Sequence, residues 1–164
     1  MEGKNTFSFY LIVFLLSILI LLIEGSLLAI FFGGADMPDL LLVMVTCLAF
    51  IQGERRGMVL GLLAGLLQDL LFSPAIGFFG LAKMVTAYLV GLASREIYKD
   101  QLFGLIAIVF LATFIHEFII IFLGLLFWGG AGSFLYLLDH LFLAKTVYHL
   151  LLAMPLYLLL HRAE

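Results

Sequence analysis

Long apolar runs alternate with short polar breaks along the whole chain. The first run extends from Phe7 to Phe32 with Glu24 as its only charged residue. A second begins after Gly33-Gly34-Ala35-Asp36 and reaches Gln52, with Pro38 suited to a first helical turn and Asp39 to the positive end of a helix. Gly53-Glu54-Arg55-Arg56-Gly57 interrupts the pattern, and a third run continues to Phe72. Ser73-Pro74-Ala75-Ile76-Gly77 predicts a turn, since proline presets one backbone angle and glycine accepts the reversed one. The fourth run covers Phe78 to Ser94, and after the polar stretch Arg95–Gln101 a fifth covers Leu102 to Trp128. Gly129-Gly130-Ala131-Gly132-Ser133 ends it, and the last run goes from about Leu137 to Leu160. A bilayer core of ~30 Å is crossed by roughly 20 apolar residues in a helix. The pattern therefore predicts a single all-α, polytopic membrane domain with six transmembrane helices, spanning about 7–32, 38–52, 57–72, 78–94, 102–128 and 137–160.

The second and third runs are short enough to suggest a re-entrant hairpin instead. Charge placement favours six crossings. With the amino terminus in the cytoplasm, the cytoplasmic segments carry Lys4, Arg55, Arg56, Arg95, Lys99 and Arg162. The external segments carry no lysine or arginine, only Asp36, Asp39 and Asp139. That asymmetry is what positive-inside orientation demands, and it places both termini on the cytoplasmic side. Lys4 followed by apolar residues also resembles a signal peptide, but the run is longer than an h-region and no clear cleavage site follows, so an uncleaved first helix is expected.

Composition agrees with a lipid solvent. Of 164 residues 65% are hydrophobic and 12% charged, against about a quarter charged in soluble domains. A net charge of −3 argues against nucleic-acid binding. The lone Cys47 excludes a disulfide framework or thiolate metal cage within the chain, and no cofactor is expected. The breaks between spans are too short to fold as separate domains.

Ionisable residues inside spans cost roughly 2.5–3.5 kcal/mol each on insertion scales, so they need partners or a purpose. Those residues are Glu24, Asp69, Lys83, His116, Glu117, Lys145 and His149. Asp69 lies near the end of its span and Lys83 near the start of the next, so a short turn brings them within ~3 Å in height and an Asp69–Lys83 ion pair is expected. Glu24, Asp69, Lys83, Glu117 and Lys145 form a candidate intramembrane polar cluster. It reads either as a charge network fixing which helices pack together or as a pocket open to the outside. His116-Glu117 lacks the second histidine of a zinc-protease helix, since Ile120 occupies that position. No catalytic constellation is visible, so an enzyme is not expected.

Gly57, Gly61 and Gly65 recur every fourth residue, with Ala64 beside them. Such a ridge lets another helix backbone approach closely, which matters where lipid removes the hydrophobic drive for helices to pair. The ridge suits a neighbour in the same chain or a partner's helix.

The stretch Met37-Pro38-Asp39-Leu40-Leu41-Leu42-Val43, the series Gly57, Gly61, Gly65 running into Asp69-Leu70-Leu71, Gly77, Leu81-Ala82-Lys83 and Tyr88-Leu89-Val90-Gly91 together resemble the bacterial rod shape-determining protein MreD family. The resemblance implies a non-enzymatic scaffold of the elongation machinery (the elongasome) in the inner membrane. It implies pairing with the single-span protein MreC, and links to the MreB filament, to RodA and to its penicillin-binding transpeptidase in lateral peptidoglycan synthesis. The family is also similar to the S-components of energy-coupling-factor vitamin transporters, which implies an S-component-like bundle and supplies an alternative function as a vitamin-binding subunit. The Ala-x-x-x-Ala face often found on the first S-component helix is missing before Ala29.

Overall fold

The computed structural model describes residues 2–28, 38–73, 75–97, 102–128 and 142–162. Every regular element among them is helical: α1 (Glu2–Ile23) with a π-helical turn at Glu24–Leu28, α2 (Leu40–Gln52), α3 (Glu54–Phe72), α4 (Phe78–Ala93), α5 (Leu102–Trp128) and α6 (Phe142–Arg162). Residues 29–37, 98–101 and 129–141, which include the expected end of the first span and start of the last, lie outside the described residues.

Two segments, Ser8–Ser26 and Phe103–Phe127, are long and apolar enough to cross a membrane. Leu40–Gln52, Phe78–Ala93 and Thr146–Tyr157 are shorter apolar helices. Only 28% and 33% of the two long segments is buried within the protein, the reverse of a soluble core helix. Large apolar side chains are widely exposed: Ile12, Leu22, Phe103, Phe118 and Leu126 are each more than 60% accessible. Water would penalise such a surface, whereas lipid does not.

The most apolar short helix lies at the centre. All residues of α2 from Leu41 to Ile51 are buried, and α2 touches α1, α3, α4, α5 and α6. A helix apolar on every side has no face to offer water. Its side chains Leu41, Met44, Leu48 and Phe50 belong to one core shared with Ile20 and Leu21 of α1, Ile108 and Val109 of α5 and Ala153 of α6. At only 13 residues, about 20 Å of rise, α2 is shorter than the ~30 Å apolar core of a bilayer.

Around this centre α3 and α4 form the most closely packed pair. Gly53 links α2 to α3 at φ 84°, and Gly77 starts α4 at φ 97°, both in the left-handed region that side chains resist. The glycine ridge faces inward. A Cβ at Gly61 would lie 2.6 Å from the Lys83 carbonyl oxygen, and one at Gly65 2.6 Å from the Gly80 Cα. A Cβ at Gly57 would lie 2.6 Å from that of Ala49 on α2. The partner helix reciprocates, because a Cβ at Gly91 would lie 2.4 Å from the Glu54 backbone. The small residues Gly80, Ala87 and Gly91 thus complete a two-sided seam whose second half the sequence pattern does not single out.

The α3–α4 pair is also tied at its two ends. Beyond α4, Arg95 Nε donates to Glu54 Oε2 at 3.1 Å, and a second guanidinium nitrogen donates to Oε1. These bonds hold the Glu54 carboxyl below its ordinary value of 4.5. A lowered folded-state value means that the tie is complete above pH 4.5 and is lost as pH falls through the lowered one. Glu54→Gln is expected to flatten the part of the acid-side stability loss due to this pair, followed by thermal unfolding in detergent. Salt should shrink the difference, since the pair is solvent-accessible.

At the other end Asp69 closes the turn. Its Oδ2 accepts from the backbone N–H groups of Gly77 and Gly80, both at 2.9 Å, and its Oδ1 from that of Phe79 at 2.8 Å. A carboxylate here satisfies donors that the start of a helix leaves open and opposes its positive dipole end. The expected Asp69–Lys83 pair is therefore corrected: Asp69 is engaged by the α4 backbone, and Lys83, one turn further along, pairs with Asp39. Asp69→Ala is expected to destabilise the bundle by ~1–3 kcal/mol through stranded buried donors, and Asp69→Asn by less, because its amide oxygen still accepts. Equal unfolding midpoints for wild type and Asp69→Ala would rule out the cap.

Candidate functional site

The buried polar groups converge on the N-terminus of α2. Asp39 is the N-cap, its Oδ1 accepting from the Leu42 N–H at 2.6 Å. Its second carboxylate oxygen receives the Lys83 ammonium from the middle of α4. Lys83 is 0% exposed and also stands 5.4 Å from the centre of the Phe79 ring, a cation–π arrangement on its own helix. From the π-helical turn after α1, Glu24 accepts the Leu41 N–H at 3.0 Å and lies within electrostatic reach of Asp39 and Lys83. A π-turn displaces one residue from the regular helical register, which here coincides with the residue that reaches α2.

The other side of the α2 terminus belongs to α5 and α6. The Asp39 N–H donates to His149 Nε2 at 2.9 Å, so that nitrogen carries no proton in this arrangement. The neutral ring then bears its proton on Nδ1, which donates to Thr113 Oγ1 at 3.0 Å. The Thr113 hydroxyl in turn donates to the Val109 carbonyl at 2.9 Å. His149 and Thr113 are buried, as is His116, which lies within electrostatic reach of Asp39. One helix end thus links the π-turn, α4, α5 and α6 by directional bonds, each replacing a cost that lipid would otherwise impose on an unpaired group.

The five residues of the sequence-derived cluster do not form one unit in the described structure. Glu24 and Lys83 meet at the α2 terminus, while Asp69 serves the α3–α4 turn. Glu117 is half-buried on α5. The side chain of Lys145 lies outside the described residues. Asp39 and His149 are the central additions. The charge pattern assigns Asp39 to an external segment, whereas the structure engages both of its carboxylate oxygens, one with the Leu42 N–H and the other with Lys83. The place of Asp39 after Pro38, at the head of an apolar run, is the signal the sequence carries.

Chemically, the arrangement is built for holding. The Thr113 hydroxyl donates to a carbonyl of its own helix, and both His149 nitrogens are engaged. Among the described residues no group of three His, Cys, Asp or Glu side chains is placed to hold a metal ion. The family model for rod shape-determining protein MreD matches residues 2–163. No curated protein and no solved structure matches the chain significantly.

Proposed function

From the premise that the chain belongs to the MreD family of shape-determining membrane proteins, which matches residues 2–163, we propose that it is a non-enzymatic scaffold of the rod machinery. In this reading it crosses the inner membrane six times with both termini in the cytoplasm, as the distribution of lysine and arginine supports. It binds MreC by helix packing and, through the complex that includes MreB, RodA and the penicillin-binding transpeptidase, helps organise lateral peptidoglycan synthesis.

The observation that carries the scaffold reading is the use of the buried polar groups as interhelical links at the α2 terminus. A bundle locked there presents its outer faces in a fixed relation. The Gly57/Gly61/Gly65 ridge is occupied within the chain, so partner packing falls to other surfaces. Helix α5 offers one, with Phe110, Phe114, Phe118 and Phe122 exposed at four-residue spacing. Such a row forms a packing ridge along a helix.

The alternative, a vitamin-binding S-component, needs Glu24 and Lys83 to turn toward a ligand; they are instead turned toward α2. A mild-detergent pull-down of the tagged chain from native membranes tests the choice. MreC and elongation proteins are expected to co-purify. Recovery of an ATPase-bearing transporter module without MreC would replace the scaffold reading by the transporter one.

A further inference from the structure

Helix α1 leans on α3 along only part of its length, and between them lies an apolar groove of 260 Å³. One wall runs from Tyr10 past Phe14 to Ser17 on α1, the other from Leu60 past Leu63 to Leu67 on α3. Phe14 and Leu63 are 46% and 50% exposed, so the groove opens outward, toward lipid. The Ser17 hydroxyl at the far end of the groove is already engaged, donating to the Val13 carbonyl at 2.8 Å. Each wall rises ~10 Å from its first residue to its last, at 1.5 Å per residue. A volume of 260 Å³ over that length makes a narrow slot, far smaller than the ~800 Å³ of a helical segment of the same length. Carbon atoms in contact lie ~4 Å apart, so such a slot admits one extended hydrocarbon chain. A helix with its side chains is ~10–12 Å across and does not fit.

Charge identifies the class of lipid. Arg56 lies on the same helical stripe as Leu60, Leu63 and Leu67, one turn before the groove, and Arg55 is beside it; both are exposed. Arg56 spends one guanidinium nitrogen on Gln52 Oε1 at 2.7 Å and keeps further donors. The groove therefore begins ~6 Å from Arg56 along the helix and ends ~17 Å from it, about the depth of one leaflet. We propose that this groove holds an acyl chain of an anionic phospholipid whose phosphate is bound by Arg55 and Arg56. The site rests on the membrane setting of the family and is independent of the MreC partnership. Its physical effect is to fill the gap beside α1, the helix least tied to the core.

The purified full chain would be titrated in detergent with phosphatidylglycerol or phosphatidylcholine bearing the same acyl chains, and bound lipid counted by native mass spectrometry. Wild type is expected to retain one phosphatidylglycerol at least about tenfold more tightly than phosphatidylcholine. Arg55→Gln with Arg56→Gln, on the exposed surface, should abolish that preference while leaving the unfolding midpoint unchanged. Leu63→Trp, which fills the groove, should weaken both lipids; Leu11→Trp on the opposite wall is its counterpart should the first variant fail to fold. Equal retention of the two lipids by wild type would overturn the proposal. So would phosphatidylglycerol retention that survives the arginine changes, or that survives filling of the groove in a folded variant.

Discussion

Lys83→Met is expected to destabilise the bundle by ~3–5 kcal/mol, because it removes a buried cation and leaves the Asp39 carboxylate without its partner. Methionine keeps most of the side-chain volume, so the loss reports charge rather than a cavity. Asp39→Asn strands the Lys83 ammonium, which is 0% exposed, and should cost a comparable amount; the 15% exposure of the Asp39 side chain gives the reverse variant slightly more relief by solvent or lipid headgroups. The informative quantity is the double variant. With both charges gone, the desolvation cost disappears together with the attraction, so Asp39→Asn/Lys83→Met should be more stable than Lys83→Met alone. A double-mutant cycle on reversible unfolding in mixed micelles is expected to give a coupling energy of ~2 kcal/mol or more. Strict additivity would show that the two groups do not interact in the folded protein. The same cycle with Asp69 in place of Asp39 should give little coupling, because Asp69 binds the α4 backbone.

The second large effect is at the helix seam. Gly61→Ala puts one methyl group 2.6 Å from the Lys83 carbonyl oxygen and 2.9 Å from the Ala87 methyl. Ordinary contact begins near 3.4 Å, and the first obstacle is backbone, so α3 and α4 must separate. Overpacking of this kind costs ~1–3 kcal/mol, and Gly61→Leu should exceed that range or prevent folding. The displacement also moves the backbone of Lys83, so the Gly61 and Asp39–Lys83 effects should not be additive. Gly124 on α5 provides the control. A Cβ there meets nothing within 4 Å, so Gly124→Ala should be neutral or stabilise by up to ~1 kcal/mol through helix propensity alone. Equal midpoints for Gly61→Ala and Gly124→Ala would remove the seam from the account.

The particular residues show why some of this was readable beforehand. Three glycines in register announce close approach regardless of which helix approaches, because only a missing side chain permits it. The polar partners were harder. Asp39 follows Pro38 at the start of an apolar run, a position equally suited to a loop at the surface and to a cap below it. His149 gave no spacing signal, since its partners Asp39 and Thr113 are 110 and 36 residues away. A hydrogen bond over such separations leaves no periodicity to detect.

Residue types along the chain were sufficient to establish a helical, lipid-soluble protein, to place the polar breaks and to resemble the family that the match over residues 2–163 then identified. They could not say which apolar helix is central. In water, an amphipathic stripe points to the core; in lipid, core and surroundings are equally apolar, and α2 and α5 both read as uniformly hydrophobic. The tertiary structure alone put α2 in the middle, turned the phenylalanines of α5 outward, paired Lys83 with Asp39 and gave Asp69 to the α4 backbone. The reason is physical: inside a membrane, helix order is decided by steric fit and by where each polar group finds a partner, and both are properties of several helices at once.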